Sequence, residues 1–236
     1  MKIHRGKCYV IIDDFLEGDI LNSLRKSMDD ILYQSFDSVV DAKVDGVALR
    51  SRGGFIQEKF IENADKTSTV LHEIFMAVTG QQEIFGKKGQ DWQTISFAFW
   101  KYGVGSRLGW HNDAGNGRTG EFVFYTHRKW KPSWGGELII LDEPSDVFED
   151  GLKKEEYFAY VEQIVSESLS PLVAIQPRPN RLVMIKSGVC HYINRVDVAA
   201  DKVERMSLTG FVSQQETKKE IGSKLPRLES ILGLCG

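Results

Sequence analysis

His111 and Asp113 stand one residue apart, and His191 follows 78 positions after Asp113. Two imidazoles and one carboxylate form the donor set that holds non-haem Fe(II) on one face. The other coordination positions stay open, which suits oxygen chemistry. The pair lies in W-H-N-D-A-G-N-G (110–117). Alternate strand residues point the same way, so an extended chain aims both side chains at one ion before the Gly/Asn turn ends the strand. Alone the pair carries little, because roughly one chain in three of this composition contains an H-x-D by chance. Without a third feature, His111 reads as an ordinary strand histidine.

That feature lies fourteen residues after His191, in R-M-S-L-T-G-F-V (205–212). Arg205 and Ser207 are two positions apart on a short strand and so share a face. A guanidinium presents a fixed fork to a carboxylate, and the serine hydroxyl can add a hydrogen bond. The competing reading of Arg205 is a surface salt bridge. A metal triad followed by Arg-x-Ser is what a 2-oxoglutarate-dependent oxygenase needs: the co-substrate chelates iron at one end and docks its far carboxylate on Arg205.

An ordered series of segments surrounds these residues. F-W-K-Y-G-V-G-S (99–106) leads into W-H-N-D, followed by F-V-F-Y-T-H-R-K-W (122–130), W-G-G-E-L (134–138), V-A-I-Q-P-R-P-N-R-L-V-M-I (173–185), H-Y-I-N-R-V and R-M-S-L-T-G-F-V. From about Trp92 to Val212 the chain resembles the prolyl 4-hydroxylase-like branch of the 2-oxoglutarate/Fe(II) dioxygenases. The resemblance implies His111, Asp113 and His191 as iron ligands and Arg205 as the anchor of 2-oxoglutarate. Tyr125 then reaches the distal carboxylate, and Tyr102 and Ser207 approach the same ligand. It implies Fe(II), 2-oxoglutarate and O₂ as the reacting set, with ascorbate in support, and C–H hydroxylation with succinate and CO₂ as co-products. Related halogenases lack the carboxylate, so Asp113 favours hydroxylation over chlorination, while desaturation and cyclisation stay open. Two departures stand out. Thr126-His127 replaces the family's Leu-Asn, placing an extra imidazole near the site that reads as a supporting or surface group. The segment V-D-V-A-A-D-K-V-E (196–204) lengthens the turn before Arg205.

The elements that must position these groups come next. Lys7 to Ile12 reads as a strand. After it, Ile20, Leu21, Leu24, Met28, Ile31 and Leu32 recur at helical spacing. The polar stretch Asp37 to Gly54, with Arg50 and Arg52, reads as a loop at the mouth of the site, solvated or touching an anionic substrate. A second helix is expected over about Ala64 to Val78. From Trp92 on, short β-rich runs separated by Gly, Asn and Pro turns suit a double-stranded β-helix, a jelly-roll, cupin-like core with flanking helices. The chain then divides into a support region (1–91), a catalytic core (92–213) with a helical insert (142–171), and a tail (214–236). In the insert Leu152, Tyr157, Val161, Ile164 and Val165 make one apolar helix face, which either decorates the barrel or forms a substrate lid. Trp110, Asn112, Arg118 and Trp134 flank the motifs and are expected to line the substrate pocket.

A net charge of −3 over 236 residues gives no electrostatic footprint for nucleic acid or an anionic membrane. Cys8, Cys190 and Cys235 form no C-x-x-C pair, so neither a disulfide scaffold nor a zinc site is indicated, and Cys190 reads as core filling. The first residues lack an apolar signal region and no apolar run is long enough to span a bilayer, which fits a reducing cytoplasm. G-V-G-S-R-L-G precedes a strand, so it is no dinucleotide fingerprint; His72-Glu73 lacks the second His of a zincin, and no G-x-S-x-G elbow exists. The expected substrate is an amino acid or small metabolite, free or carrier-tethered. A peptidyl proline is the alternative, and a catalytically silent binding module of the same fold is the non-enzymatic one.

Overall fold

The computed structural model describes residues 1–56, 69–115, 117–145 and 153–214. Among the described residues thirteen strands form two antiparallel sheets. The larger one runs in the order β1 (Lys2–Arg5), β2 (Tyr9–Asp13), β11 (Leu182–Lys186), β8 (Arg118–Tyr125), β13 (Arg205–Ser213), β6 (Thr94–Tyr102), β4 (Val47–Ser51), β3 (Tyr33–Asp37). β5 (Gly54–Ile56) also pairs with β6. The smaller sheet has the order β10 (Leu172–Ile175), β9 (Leu138–Pro144), β12 (Val189–Ile193), β7 (Leu108–His111). Sequence neighbours thus sit on different sheets, the winding expected of a double-stranded β-helix.

Alternation along the strands separates two apolar layers. Leu208 and Val212 of β13, with Phe97 and Phe99 of β6 and Phe122 and Phe124 of β8, face three helices: α1 (Gly18–Asp29), α2 (Thr69–Thr79) and α3 (Gln82–Phe85). The opposite phase, including Val123, Tyr125, Val183 and Ile185, faces Leu138 and Ile140 of the smaller sheet. That inner layer contains the site. α1 buries Leu21, Leu24 and Met28 at helical spacing, but it ends at Asp29. Ile31 is buried beyond the helix and Leu32 is exposed, because the chain turns there into β3. The second helix is present over Thr69–Thr79, while residues 64–68, Leu152 and residues 215–236 lie outside the described residues.

The stretch Asp37 to Gly54 corrects a sequence expectation. It is not one loop: β4 within it pairs with β6 and extends the large sheet. Arg50 lies opposite Trp100 in that register and stacks between Phe36 and Trp100. Its aliphatic stem and planar head suit an aromatic slot, which the polar composition of the segment conceals.

The insert helix α4 (Lys154–Glu167) packs against β7. Tyr157 and Val161 are buried against Leu141 and Cys190, with Trp110, Ile164 and Val165 at the margin. The helix therefore covers the outer face of the smaller sheet. Cys190 is fully buried in that layer, as core filling requires. No helix among the described residues is long and apolar enough to cross a membrane.

Candidate active site

His111 ends β7 and lies directly opposite His191 of β12 in the sheet register. Their ring centroids are 4.1 Å apart. The His111 Nδ1 lies 2.7 Å from the Gly109 carbonyl, and the His191 Nδ1 lies 2.8 Å from that of Val189. Each Nδ1–H donates to its carbonyl, so each Nε2 lone pair is available to a metal. Asp113 Oδ2 stands 3.4 Å from His111 Nε2 and 3.6 Å from His191 Nε2. The three donor atoms all fall within 4.8 Å of one another. Two imidazole nitrogens and one carboxylate oxygen, converging from a buried side, fit Fe(II).

Strand alternation is not what brings Asp113 in. The strand stops at His111, and Asp113 adopts φ +49°, in the left-handed region that Asp tolerates better than most residues. The turn swings the carboxylate back over the imidazoles. Arg118 Nη1 steadies it by donating to Asp113 Oδ1 at 3.2 Å. Burial opposes charge on Asp113, yet the facing His111 and His191 rings and Arg118 hold its carboxyl well below the usual carboxylate range. Burial likewise opposes charge on His191, but the Glu121 and Asp113 carboxylates hold it well above the usual imidazole range.

Arg205 opens β13 and is 1% exposed. Its Nε donates to the Gly136 carbonyl at 2.8 Å and its Nη2 to the Tyr125 hydroxyl at 3.1 Å. The rings of Tyr102 and Tyr125 lie 5.5 and 4.9 Å from the guanidinium carbon. No carboxylate of the described residues forms an ion pair with it, so a buried cation meets only neutral groups. That is costly unless an anion joins it. Gly136 makes the approach possible: at φ +71°, a Cβ there would come within 3.0 Å of Arg205 Cδ. Burial pushes the Tyr102 phenol up to about 12 and raises that of Tyr125 as well. Both hydroxyls therefore stay protonated and can donate to a bound anion. Ser207 is buried one strand step further on, with Oγ 3.2 Å from Thr209 Oγ1.

The four expected pocket residues separate. Arg118 lies at the site, beside Asp113. Trp134 is buried at the Arg205 end, against Trp130 and in a cluster with Tyr102. Trp110 and Asn112 point the other way. Trp110 packs on Tyr192 at 4.6 Å between ring centroids, and Asn112 is 1% exposed on the outer side. Asn112 Oδ1 accepts from the Tyr157 hydroxyl of α4 and its Nδ2 donates to Ser145 Oγ at 3.0 Å. Residues on either side of the inward-facing His111 face outward, so these two brace the candidate metal strand from behind. His127 is a brace too: its Nε2–H donates to the Pro177 carbonyl at 2.6 Å, and its Nδ1 accepts the Met206 N–H at 3.3 Å.

Two carboxylates escaped sequence reasoning. Asp45 is fully buried and accepts from Arg107 Nε at 2.8 Å, Ser38 Oγ at 2.5 Å and the Gly109 N–H at 3.1 Å. Nothing in its local sequence marks it. Glu121 is 6% exposed, with Oε1 2.9 Å from His191 Nε2. A signal for it existed: in E-F-V-F-Y it shares the phase of Tyr125.

Residues 97–213 match the family model described as the 2OG-Fe(II) oxygenase superfamily. No curated protein matches the sequence. Among solved structures, the chain is similar to a prolyl-4-hydroxylase of Pseudomonas putida, at 16% identity and TM-score 0.53, covering 89% of this chain and 94% of that one. It is also similar to a prolyl hydroxylase of Trichoplax adhaerens in complex with a hypoxia inducible factor oxygen degradation domain peptide fragment. That match has 15% identity and TM-score 0.53, covering 93% of this chain and 88% of the other. An oxidoreductase of the 2OG-Fe(II) oxygenase family from Burkholderia pseudomallei gives 13% identity and TM-score 0.51, covering 88% and 86%. At these identities the structures speak for the fold, while the family match spans the metal cluster and the buried arginine together. The chain carries a 2OG-Fe(II) oxygenase superfamily domain over residues 97–213, a dioxygenase domain that uses Fe(II), 2-oxoglutarate and O₂.

Proposed function

We propose that this protein hydroxylates an unactivated C–H bond of an amino acid or small metabolite. His111, Asp113 and His191 hold the iron. Arg205, with Tyr125 and flanked by Tyr102 and Ser207, receives the distal carboxylate of 2-oxoglutarate. The observation that carries the reading is the buried Arg205 guanidinium, which among the described residues meets neutral partners alone, inside the same barrel as the three converging donors.

Bound iron supplies the coupling of 2-oxoglutarate decarboxylation to oxidation of the substrate. Two of the four electrons that reduce O₂ come from 2-oxoglutarate and two from the C–H bond. One oxygen atom ends in succinate and the other in the product hydroxyl. The chain's own contribution is orientation and exclusion of water. The carbonyls of Gly109 and Val189 fix the imidazole tautomers, and Arg118 fixes the Asp113 carboxylate. Arg205 sets the direction in which the co-substrate lies, and Val123, Ile140 and Ile185 keep the surroundings apolar.

Hydroxylation of a peptidyl proline is the second reading. It is favoured by the fold likeness to the Trichoplax enzyme, whose structure holds a peptide. Succinate formation by anaerobically purified protein given Fe(II), 2-oxoglutarate and O₂ tests both, over a panel of free amino acids and short proline-containing peptides. Succinate that rises with a free amino acid and vanishes in His111→Ala supports the first reading. A response to peptides alone supports the second, and failure to bind iron or 2-oxoglutarate overturns both.

A further inference from the structure

Glu121 is a carboxylate that the triad and the arginine pocket do not use. It sits on β8, cross-strand from Ile185 and Phe211, in the phase that faces the barrel interior. Its Oε1 is buried, lies 2.9 Å from His191 Nε2, and has no hydrogen bond of acceptable geometry. Glu121 also stands outside the set whose donor atoms all fall within 4.8 Å, so it borders the metal position without completing the ligand set.

Its charged neighbour is the His191 imidazole, whose Nε2 faces the metal position and is not free to serve Glu121 once a metal is held there. Among the described residues, no Lys or Arg nitrogen forms an ion pair with Glu121. The closest cation in sequence, Arg118, is committed to Asp113 and lies over the Phe211 ring at 3.8 Å from its centroid. 2-Oxoglutarate cannot satisfy Glu121, since it is a dianion with no donor to offer. A buried carboxylate oxygen without a hydrogen-bond donor is costly, and the molecule still to enter the site is the substrate.

We infer that Glu121 holds a protonated nitrogen of the substrate, so that the enzyme acts on an amine-bearing molecule whose ammonium group docks beside His191. An ammonium has donors for the carboxylate and no lone pair for the metal, so the same contact orients the substrate and keeps its nitrogen off the iron. This inference rests on the oxygenase reading above and narrows its substrate class.

The test uses the full chain under anaerobic conditions and reads the charge-transfer absorption of the Fe(II)·2-oxoglutarate complex. The probes are the basic and neutral L-amino acids, simple alkyl diamines and the N-acetylated counterpart of each. At least one free amine should shift the band of the wild type while its acetylated form does not. Glu121→Gln should weaken that amine by about 10- to 100-fold, the value of a charge-assisted hydrogen bond. Glu121→Asp, which keeps the charge, should retain part of the preference. Amine affinity unchanged in Glu121→Gln, a preference for acetylated probes, or no response to any amine would each overturn the inference. Absence of the band itself in the wild type would sink the oxygenase reading, a distinguishable failure.

Discussion

Replacing Arg205 by methionine is the sharpest test of the anion pocket. The guanidinium is 1% exposed and, among the described residues, hydrogen-bonds the Gly136 carbonyl and the Tyr125 hydroxyl. Its free N–H groups can therefore form charge-assisted hydrogen bonds to a carboxylate, each worth about 1.5–3 kcal/mol. Losing one partner of a buried ion pair costs about 3–5 kcal/mol. At about 1.4 kcal/mol per tenfold, Arg205→Met should weaken 2-oxoglutarate by roughly two to three and a half orders of magnitude. The fold should respond differently. Methionine fills the aliphatic volume, and removing an uncompensated cation offsets the loss of two hydrogen bonds to neutral groups. Urea unfolding of the ligand-free variant should thus stay within about 1 kcal/mol of wild type or exceed it. The assay is anaerobic titration of 2-oxoglutarate into the Fe(II) protein, with urea unfolding alongside. A loss of affinity under about tenfold would refute Arg205 as the anchor. A collapse of ligand-free stability would refute the claim that the cation is uncompensated.

Three further outcomes follow from other contacts. Burial pushes the His127 imidazole down to about 4 from 6.5, against the pull of its carbonyl partner Pro177. The unfolded chain takes up a proton first, so His127 contributes full stability above about pH 6.5 and loses it as pH falls toward 4. About 2 kcal/mol should be gone by pH 5, and urea titrations should show that part of the slope vanish in His127→Gln. Asp13 receives Arg181 Nε at 2.7 Å and Nη2 at 2.9 Å, which holds its carboxyl below the usual range against burial. Asp13→Ala should cost about 3–5 kcal/mol at pH 7. In the wild type this stabilisation is present above the ordinary carboxylate pKa and lost as pH falls through the lowered one, so the gap between the two proteins should narrow in acid. Tyr157→Phe removes the donor to Asn112 and should loosen Mn(II) binding severalfold while leaving the substrate KM nearly unchanged. A KM change without a metal effect would make α4 a lid.

How far the sequence was legible depends on whether a residue's role is local. The convergence of His111, Asp113 and His191 and the burial of Arg205 were legible because metal and carboxylate chemistry restrict residue type, and the ordered segments around them restrict spacing. The β-rich core could be read from alternation. The Asp37–Gly54 stretch could not, because β4 is stabilised by pairing with β6 and by the Arg50 stack, both long-range. Nearness in sequence points Trp110 and Asn112 to the pocket, whereas alternation about His111 turns them outward. Glu121 shows the converse: its phase with Tyr125 pointed inward, but a glutamate on a short strand is more often solvated, and only burial distinguishes it.

The position of Asp113 explains why so much of the surrounding structure is polar and buried. A ligand within a strand is fixed by its ladder, whereas Asp113 lies on a turn with an unfavourable φ and no sheet partner. Precision must come from its neighbours on both sides. From the outer face, Asn112 is tied to Tyr157 and Ser145, and its Oδ1 also accepts the Ala114 N–H at 3.1 Å, clamping the residue after the ligand. From the β3–β4 segment, Asp45 grips the Gly109 N–H, and the Gly109 carbonyl in turn receives the His111 Nδ1–H. Arg118 holds the carboxylate itself. Each clamp acts on a different atom of the same six-residue stretch, so the cost of the left-handed turn, about 1–3 kcal/mol for such a conformation, is carried by contacts that also set the geometry of the three donors. On this argument the insert helix and the β3–β4 segment matter to the metal centre without touching it.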